Sequence, residues 1–375
     1  MVLYILFAVA TVFIATKVKA ANQVNENNKF LLADQKGINA VCISSLFLML
    51  FLLSALRINT GGDYKNYIRI FHDIIHGNYV VTEVGFNYTV TAVYSFFGCE
   101  NYLAVFALFA GVMIAFFLWG MYKQSKDFAM TFFMYITLSL YFQSFSTVRY
   151  YFALSIVFVS IYYFGRKRYI SGIILVLLAS LFHKSVLLTI PVYVLAGFNW
   201  KKIHVVIVTI LALTGFVFKQ QYLMIMLKLY PSYVTSGEYI GAGGISYVNV
   251  FRCFAVLVIS LVFYEDVVKN NKENRFYFYL NYAALLIFTC FSFIPYGSRI
   301  GYYMNISHIL YVPSIIKCIK DKRKANIIKW CVIVLCVVYF IAFLYQASGE
   351  ELKILPYNTW LFEDYEFMPL SDRVG

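Results

Sequence analysis

Apolar residues recur in blocks of about 14 to 20 along the whole chain, separated by short polar connections. The blocks cover residues 1–16, 38–56, 102–119, 128–145, 148–164, 169–182, 185–198, 203–218, 248–264, 276–294, 300–316 and 327–345. A helix satisfies its own backbone inside lipid, so the pattern predicts an all-α polytopic integral membrane protein of about 12 transmembrane helices. Blocks 169–182 and 185–198 are short and meet at His183 and Lys184, which predicts a helical hairpin with its tip at the membrane surface. Residues 84–98 are apolar but short, and are expected to lie in the interface or re-enter. No internal repeat or low-complexity tract divides the chain, so residues 1–375 read as one integral membrane domain.

Composition supports the pattern. Of 375 residues, 62% are hydrophobic and only 13% charged, where soluble domains carry about 25% charged residues. A water-soluble fold is excluded. The first block has no positive n-region and is followed by Lys17 and Lys19, the pattern of an anchor and not of a cleaved signal. Seven cysteines, with no close metal-type pair among them, read as small apolar residues without a disulfide framework or zinc site.

The net charge of +13 raises the question of anionic partners. Its placement answers it. Lys and Arg gather in the connections 17–36, 123–126, 166–168, 201–202, 269–275 and 317–329, and these account for the whole excess. By the positive-inside rule they are cytoplasmic. Both termini then lie outside, together with segments 57–101 and 219–247 and an acidic tail, 346–375, that holds Glu350, Glu351, Glu363, Asp364 and Glu366 against Lys353 and Arg373. A nucleic-acid role does not fit this layout.

Ionisable groups at the ends of apolar spans are costly unless they meet a partner, ligand or water. Arg57, Arg149, His183, Lys184, Arg252 and Arg299 all fall near outer ends, where they could ring an anion. Arginine suits a phosphate because its planar fork donates two parallel hydrogen bonds; snorkelling to headgroups is the alternative for each. His183 titrates near working pH and could serve as base or acid, or simply bond a carbonyl. In Arg57-Ile58-Asn59-Thr60-Gly61-Gly62-Asp63-Tyr64-Lys65-Asn66-Tyr67, the carboxylate and two tyrosines suit a sugar, while Asp63 could equally cap a helix from Tyr64. Glu83 is a second outer carboxylate, either cap or ligand. His72 and His76 have the spacing of a metal pair on one helical face, but no further ligand completes a motif, and no metal site is expected. Gly237, Gly241, Gly243 and Gly244 read as a mobile loop.

Gly61-Gly62-Asp63-Tyr64 with Tyr67, Glu83-x-Gly85-Phe86, Arg149 with Ala153, and Phe182-His183-Lys184-Ser185 occur here in that order. Together they resemble the EpsG-type branch of the Wzy-like bacterial polysaccharide polymerases. The motifs reach to about Pro191; beyond it the likeness rests on span pattern and on Arg299 with Tyr302 and Tyr303. Where the family pattern reads Arg-Gln, this chain has Arg149-Tyr150, which keeps the cation and loses the amide.

The resemblance implies a glycosyltransferase of O-antigen, capsule or exopolysaccharide assembly in the bacterial inner membrane, with its active site facing outward. Its substrates would be oligosaccharide repeat units on undecaprenyl pyrophosphate in the lipid bilayer, and it admits a chain-length regulator as a partner. The growing glycan would pass to the non-reducing end of the next lipid-linked unit by a GT-C-like, metal-independent transfer without cofactor. Arg149 and Arg299 would stabilise the departing pyrophosphate and His183 or Asp63 would take the acceptor proton. Arg57, Tyr64, Tyr67, Glu83, Lys184 and Arg252 would bind substrate. Two rivals are weighed. A polysaccharide-modifying membrane acyltransferase would carry an early Arg and His, which residues 1–20 lack; a lipid-linked oligosaccharide flippase or transporter would carry ionisable groups at mid-depth.

Overall fold

Asn101 begins the first long buried helix: its side-chain oxygen accepts the Ala104 N–H at 3.0 Å, satisfying one of the orphan donors of the first turn. The computed structural model describes residues 1–21, 29–229, 244–294, 297–349, 352–363 and 365. Gly237, Gly241 and Gly243 lie outside the described residues, as do Glu350, Glu351, Asp364, Glu366 and Arg373 of the tail and the middle of the basic connection 17–36.

The helices in chain order are α1 (Val2–Ala15), α2 (Lys29–Ala55), α3 (Tyr64–Ile75), α4 (Val84–Phe97), α5 (Tyr102–Gln124), α6 (Phe128–Thr137), α7 (Leu140–Gln143), α8 (Val148–Gly165) and α9 (Tyr169–Ser180). After them come α10 (Thr189–Ala196), α11 (Lys202–Val217), α12 (Lys219–Leu229), α13 (Tyr247–Val262), α14 (Lys272–Cys290), α15 (Gly297–Asn305), α16 (His308–Cys318) and α17 (Lys322–Gln346). Among the described residues no strand forms; an isolated antiparallel bridge joins Arg57 and Thr359.

Among the described residues, four helical segments are long and apolar enough to cross a membrane: Ala33–Ala55, Tyr102–Gln124, Val148–Gly165 and Lys322–Gln346. The pair α11 and α12, bent by 88°, adds a fifth if it is one broken span. A 23-residue helix rises about 35 Å, enough for a hydrocarbon core of about 30 Å. Other expected spans fall on shorter helices, for identifiable local reasons. Block 128–145 is interrupted between α6 and α7 by Ser139, whose φ of 59° is left-handed. Block 300–316 breaks between α15 and α16, and Pro313 lies inside the latter. Lipid exposure is plainest on Lys322–Gln346: only 22% of its apolar window is buried, and Trp330, Val334, Leu335, Val338 and Ile341 are exposed. An apolar helix so little covered by protein needs lipid around it. The protein is an all-helical membrane protein.

Contacts within the chain form two compact units. The first comprises Met1–Val159, Leu177–Lys184 and Asp321–Gly375. In it α2 packs on α5, α1 on α6, and α3 on α4, around Phe71, Phe86, Phe106, Phe109 and Phe117. The second comprises Ser160–Val176 and Ser185–Lys320. Its centre is α14, which packs against α10, α11, α13, α15 and α16. Buried Asn274 is satisfied there by the Val267 carbonyl and the Ser314 hydroxyl, as a polar group away from water must be.

Candidate active site

Four of the residues singled out by sequence meet in the first unit, around the carboxylate of Glu83. Glu83 holds the N-cap position of α4, yet its side chain does not cap that helix. It turns outward instead. Oε2 accepts from Arg149 Nη1 at 2.6 Å, and Oε1 accepts the backbone N–H of Lys184 at 2.9 Å. His183 Nδ1 stands 3.6 Å from Oε1. Burial pushes this carboxyl up, but His183, the Arg149 guanidinium and the Lys184 N–H outweigh it, and the group is held below the usual carboxylate range.

Local chemistry explains why these segments converge. The Gly85 and Phe86 N–H groups both donate to the Leu181 carbonyl, at 2.9 and 3.3 Å. A Cβ on Gly85 would stand 2.7 Å from Leu181 Cβ, so the glycine is what lets residues 181–184 approach α4. Phe182 fixes the same segment by packing on Phe152 and Phe109, with centroids 4.5 and 6.1 Å away. On the other side, the Arg149 N–H donates to the Tyr67 hydroxyl at 3.2 Å, which ties the start of α8 to α3. The guanidinium also lies 5.7 Å from the Phe86 ring centroid and reaches the Val81 carbonyl at 3.4 Å. Tyr150, standing where the family pattern has Gln, sets its ring edge-on to His183 at 5.5 Å.

The side chains of Arg149, Glu83 and His183 are 22, 11 and 13% exposed. They are recessed, with both ring nitrogens of His183 buried, and Lys184 beside them is exposed. One carboxylate thus orients a guanidinium and neighbours an imidazole, and it holds the backbone of Lys184 beside them. Such a set can bind an anion while moving a proton.

Arg57 is placed differently from the expected substrate contact. It is 2% exposed, donating to the carbonyls of Phe145 (2.6 Å) and Thr60 (3.2 Å) and lying 4.6 Å from the Phe145 ring centroid. Burial pushes its pKa down to about 10, which still leaves it charged at neutral pH. Tyr64, expected against a sugar, is buried and stacks on Phe106 at 4.6 Å. Tyr67 is buried as well, with its hydroxyl on Arg149. Gly61, at φ 115°, closes against residue 145: a Cβ there would lie 2.2 Å from the Phe145 carbonyl oxygen, and the Gly61 N–H donates to the Lys353 carbonyl at 2.7 Å. The Gly-Gly turn serves close packing of residues 57–62, 145–146 and 352–353. Asp63, half-buried, occupies the N-cap position of α3 without a side-chain capping bond.

Arg252 and Arg299 belong to the second unit. Arg252 Nη2 donates to Asn249 Oδ1 at 2.8 Å, and Asn249 Nδ2 in turn reaches the Tyr302 hydroxyl at 3.2 Å. Asn305 Nδ2 also meets Asn249 Oδ1, at 3.2 Å, and His308 Nε2 lies 2.7 Å from Asn281 Oδ1. Arg299 is half-buried on α15. Sequence reading missed these asparagines and His308, whose signal was an amide or imidazole inside an otherwise apolar helix. It also missed Glu100, which comes from the α4–α5 connection to meet His72 and His76.

A family model described as "EpsG family" matches residues 40–359. No curated protein and no solved structure matched the chain.

Proposed function

The chain belongs to the EpsG family of Wzy-like polysaccharide polymerases, and from that premise we propose that the Glu83 cluster is the centre of glycan transfer. The substrate is a growing glycan on undecaprenyl pyrophosphate, and the acceptor is the non-reducing end of an incoming lipid-linked repeat unit. The site faces the outer side of the inner membrane, the orientation favoured by the basic connections. The fold is of the GT-C-like kind and the transfer needs no metal.

In this reaction the bond from the anomeric carbon to the pyrophosphate oxygen breaks, and a bond from the same carbon to the acceptor oxygen forms. Negative charge grows on the departing pyrophosphate, and Arg149 with Lys184 stabilises it. His183 takes the acceptor hydroxyl proton. Glu83 orients Arg149 and stabilises His183 once it is charged. Arg299 and Arg252, which belong to the second unit, are phosphate-binding cations of that unit; Asp63 is the alternative base.

The observation that supports this reading best is Arg149 held 2.6 Å from a carboxylate that also neighbours His183, at a partly exposed rim. The test is replacement of Arg149 or His183 by Ala in the native host, with membrane levels checked. Each should leave single repeat units on the final acceptor. Long-chain polysaccharide at wild-type length from either variant would refute its role.

A further inference from the structure

The C-terminal end of α3 carries a second cluster, unconnected with the argument for glycan transfer. His72 lies in the last turn and His76 is the C-cap residue, so their rings stack along one face with centroids 4.0 Å apart. Both face Glu100: His72 Nδ1 is 3.0 Å from Oε2, and His76 Nδ1 is 3.7 Å from Oε1. One donor atom from each of the three residues falls within 4.8 Å of the other two.

We propose that His72, His76 and Glu100 form a binding site for a divalent transition-metal ion, Zn2+ by its donor set, which clamps the end of α3 to the α4–α5 connection. Two imidazoles and one carboxylate are ligands that zinc accepts, at about 2.0–2.2 Å. Tetrahedral bonds of that length put ligand atoms about 3.3 Å apart, so the three donors, now within 4.8 Å of one another, draw together as the ion binds.

The surroundings favour a cation. The carbonyls of the last turn of α3 give that end a partial negative charge. The His76 ring is oriented by a 2.9 Å bond from its Nδ1–H to the His72 carbonyl, which an ion bound at Nε2 leaves in place. Glu100 is set by a tight turn in which the Asn101 N–H donates to the Cys99 carbonyl at 2.8 Å and the Tyr102 N–H to the Glu100 carbonyl at 2.9 Å. Its side chain is 12% exposed while the two imidazoles remain accessible. A single dication uses all three donors and leaves a fourth position for water.

The test uses the full chain in detergent, stripped with a chelator and titrated with Co2+ and then Zn2+. One equivalent of Co2+ should produce visible ligand-field absorption that Zn2+ abolishes. His76→Asn and Glu100→Gln should each weaken Zn2+ binding by about 10- to 100-fold, while His204→Asn leaves it unchanged. Metal-free melting temperatures of the variants establish that they are folded. Absence of the Co2+ absorption from the wild-type chain, or wild-type affinity in folded His76→Asn, overturns the site.

Discussion

Arg57 and Arg149 both stand beside an apolar helix in the same unit, and they live in opposite environments. Arg57 is enclosed by carbonyls and aromatic rings: it bonds the Thr60 and Phe145 carbonyls and lies against the rings of Tyr64, Phe106 and Phe145. Arg149 has a carboxylate partner and a face toward the rim. A guanidinium sealed among neutral groups is a structural pin, because water and anions cannot reach it. One paired with a carboxylate is oriented and remains able to trade part of that pairing for a phosphate oxygen. Proximity to a span end therefore says nothing by itself about function.

Four substitutions sharpen the contrast. Arg57→Ala strands the Phe145 and Thr60 carbonyls and should cost about 2–5 kcal/mol of stability. It should lower the amount of folded protein in membranes while leaving turnover per folded molecule near wild type. Gly85→Ala forces its Cβ against Leu181 and should cost about 1–3 kcal/mol, visible as a lower melting temperature together with weaker polymerisation, since the 181–184 segment moves. Tyr67→Phe removes the bond to the Arg149 N–H and should cost about 1 kcal/mol by the same melting measurement. The smallest effect is on pH dependence. The Glu83 carboxyl is depressed in the folded state, so its stabilisation is complete above the ordinary carboxylate range and is lost as pH falls through the lower folded value. Glu83→Gln should flatten the acid side of the melting-temperature profile; an unchanged slope would show that the Arg149 pairing contributes nothing there.

Much of the fold class was legible because apolar block length is a direct reading of bilayer thickness. The lengths of individual helices were less so. Ser139 at positive φ and the break between α15 and α16 cut blocks whose hydropathy is continuous. At the site, Glu83, Gly85, Arg149 and His183 stood out as residue types in order, but their pairing did not. Glu83 read as a helix cap or sugar ligand, and only tertiary contact turns it toward residues 66 and 101 positions away. Arg57 read the same as Arg149 because the carbonyl that holds it comes from 88 residues along the chain. His72 and His76 showed their helical spacing at once; Glu100 did not, since nothing local links it to them.

The most direct measurement is the rate at which purified Arg149→Ala, at saturating lipid-linked repeat unit, extends the glycan compared with wild type. If Arg149 stabilises the departing pyrophosphate, the rate should fall by about 100-fold or more with the melting temperature little changed. A rate within about threefold of wild type, a transition-state loss under about 1 kcal/mol, would contradict the assignment of the Glu83 cluster as the centre of transfer.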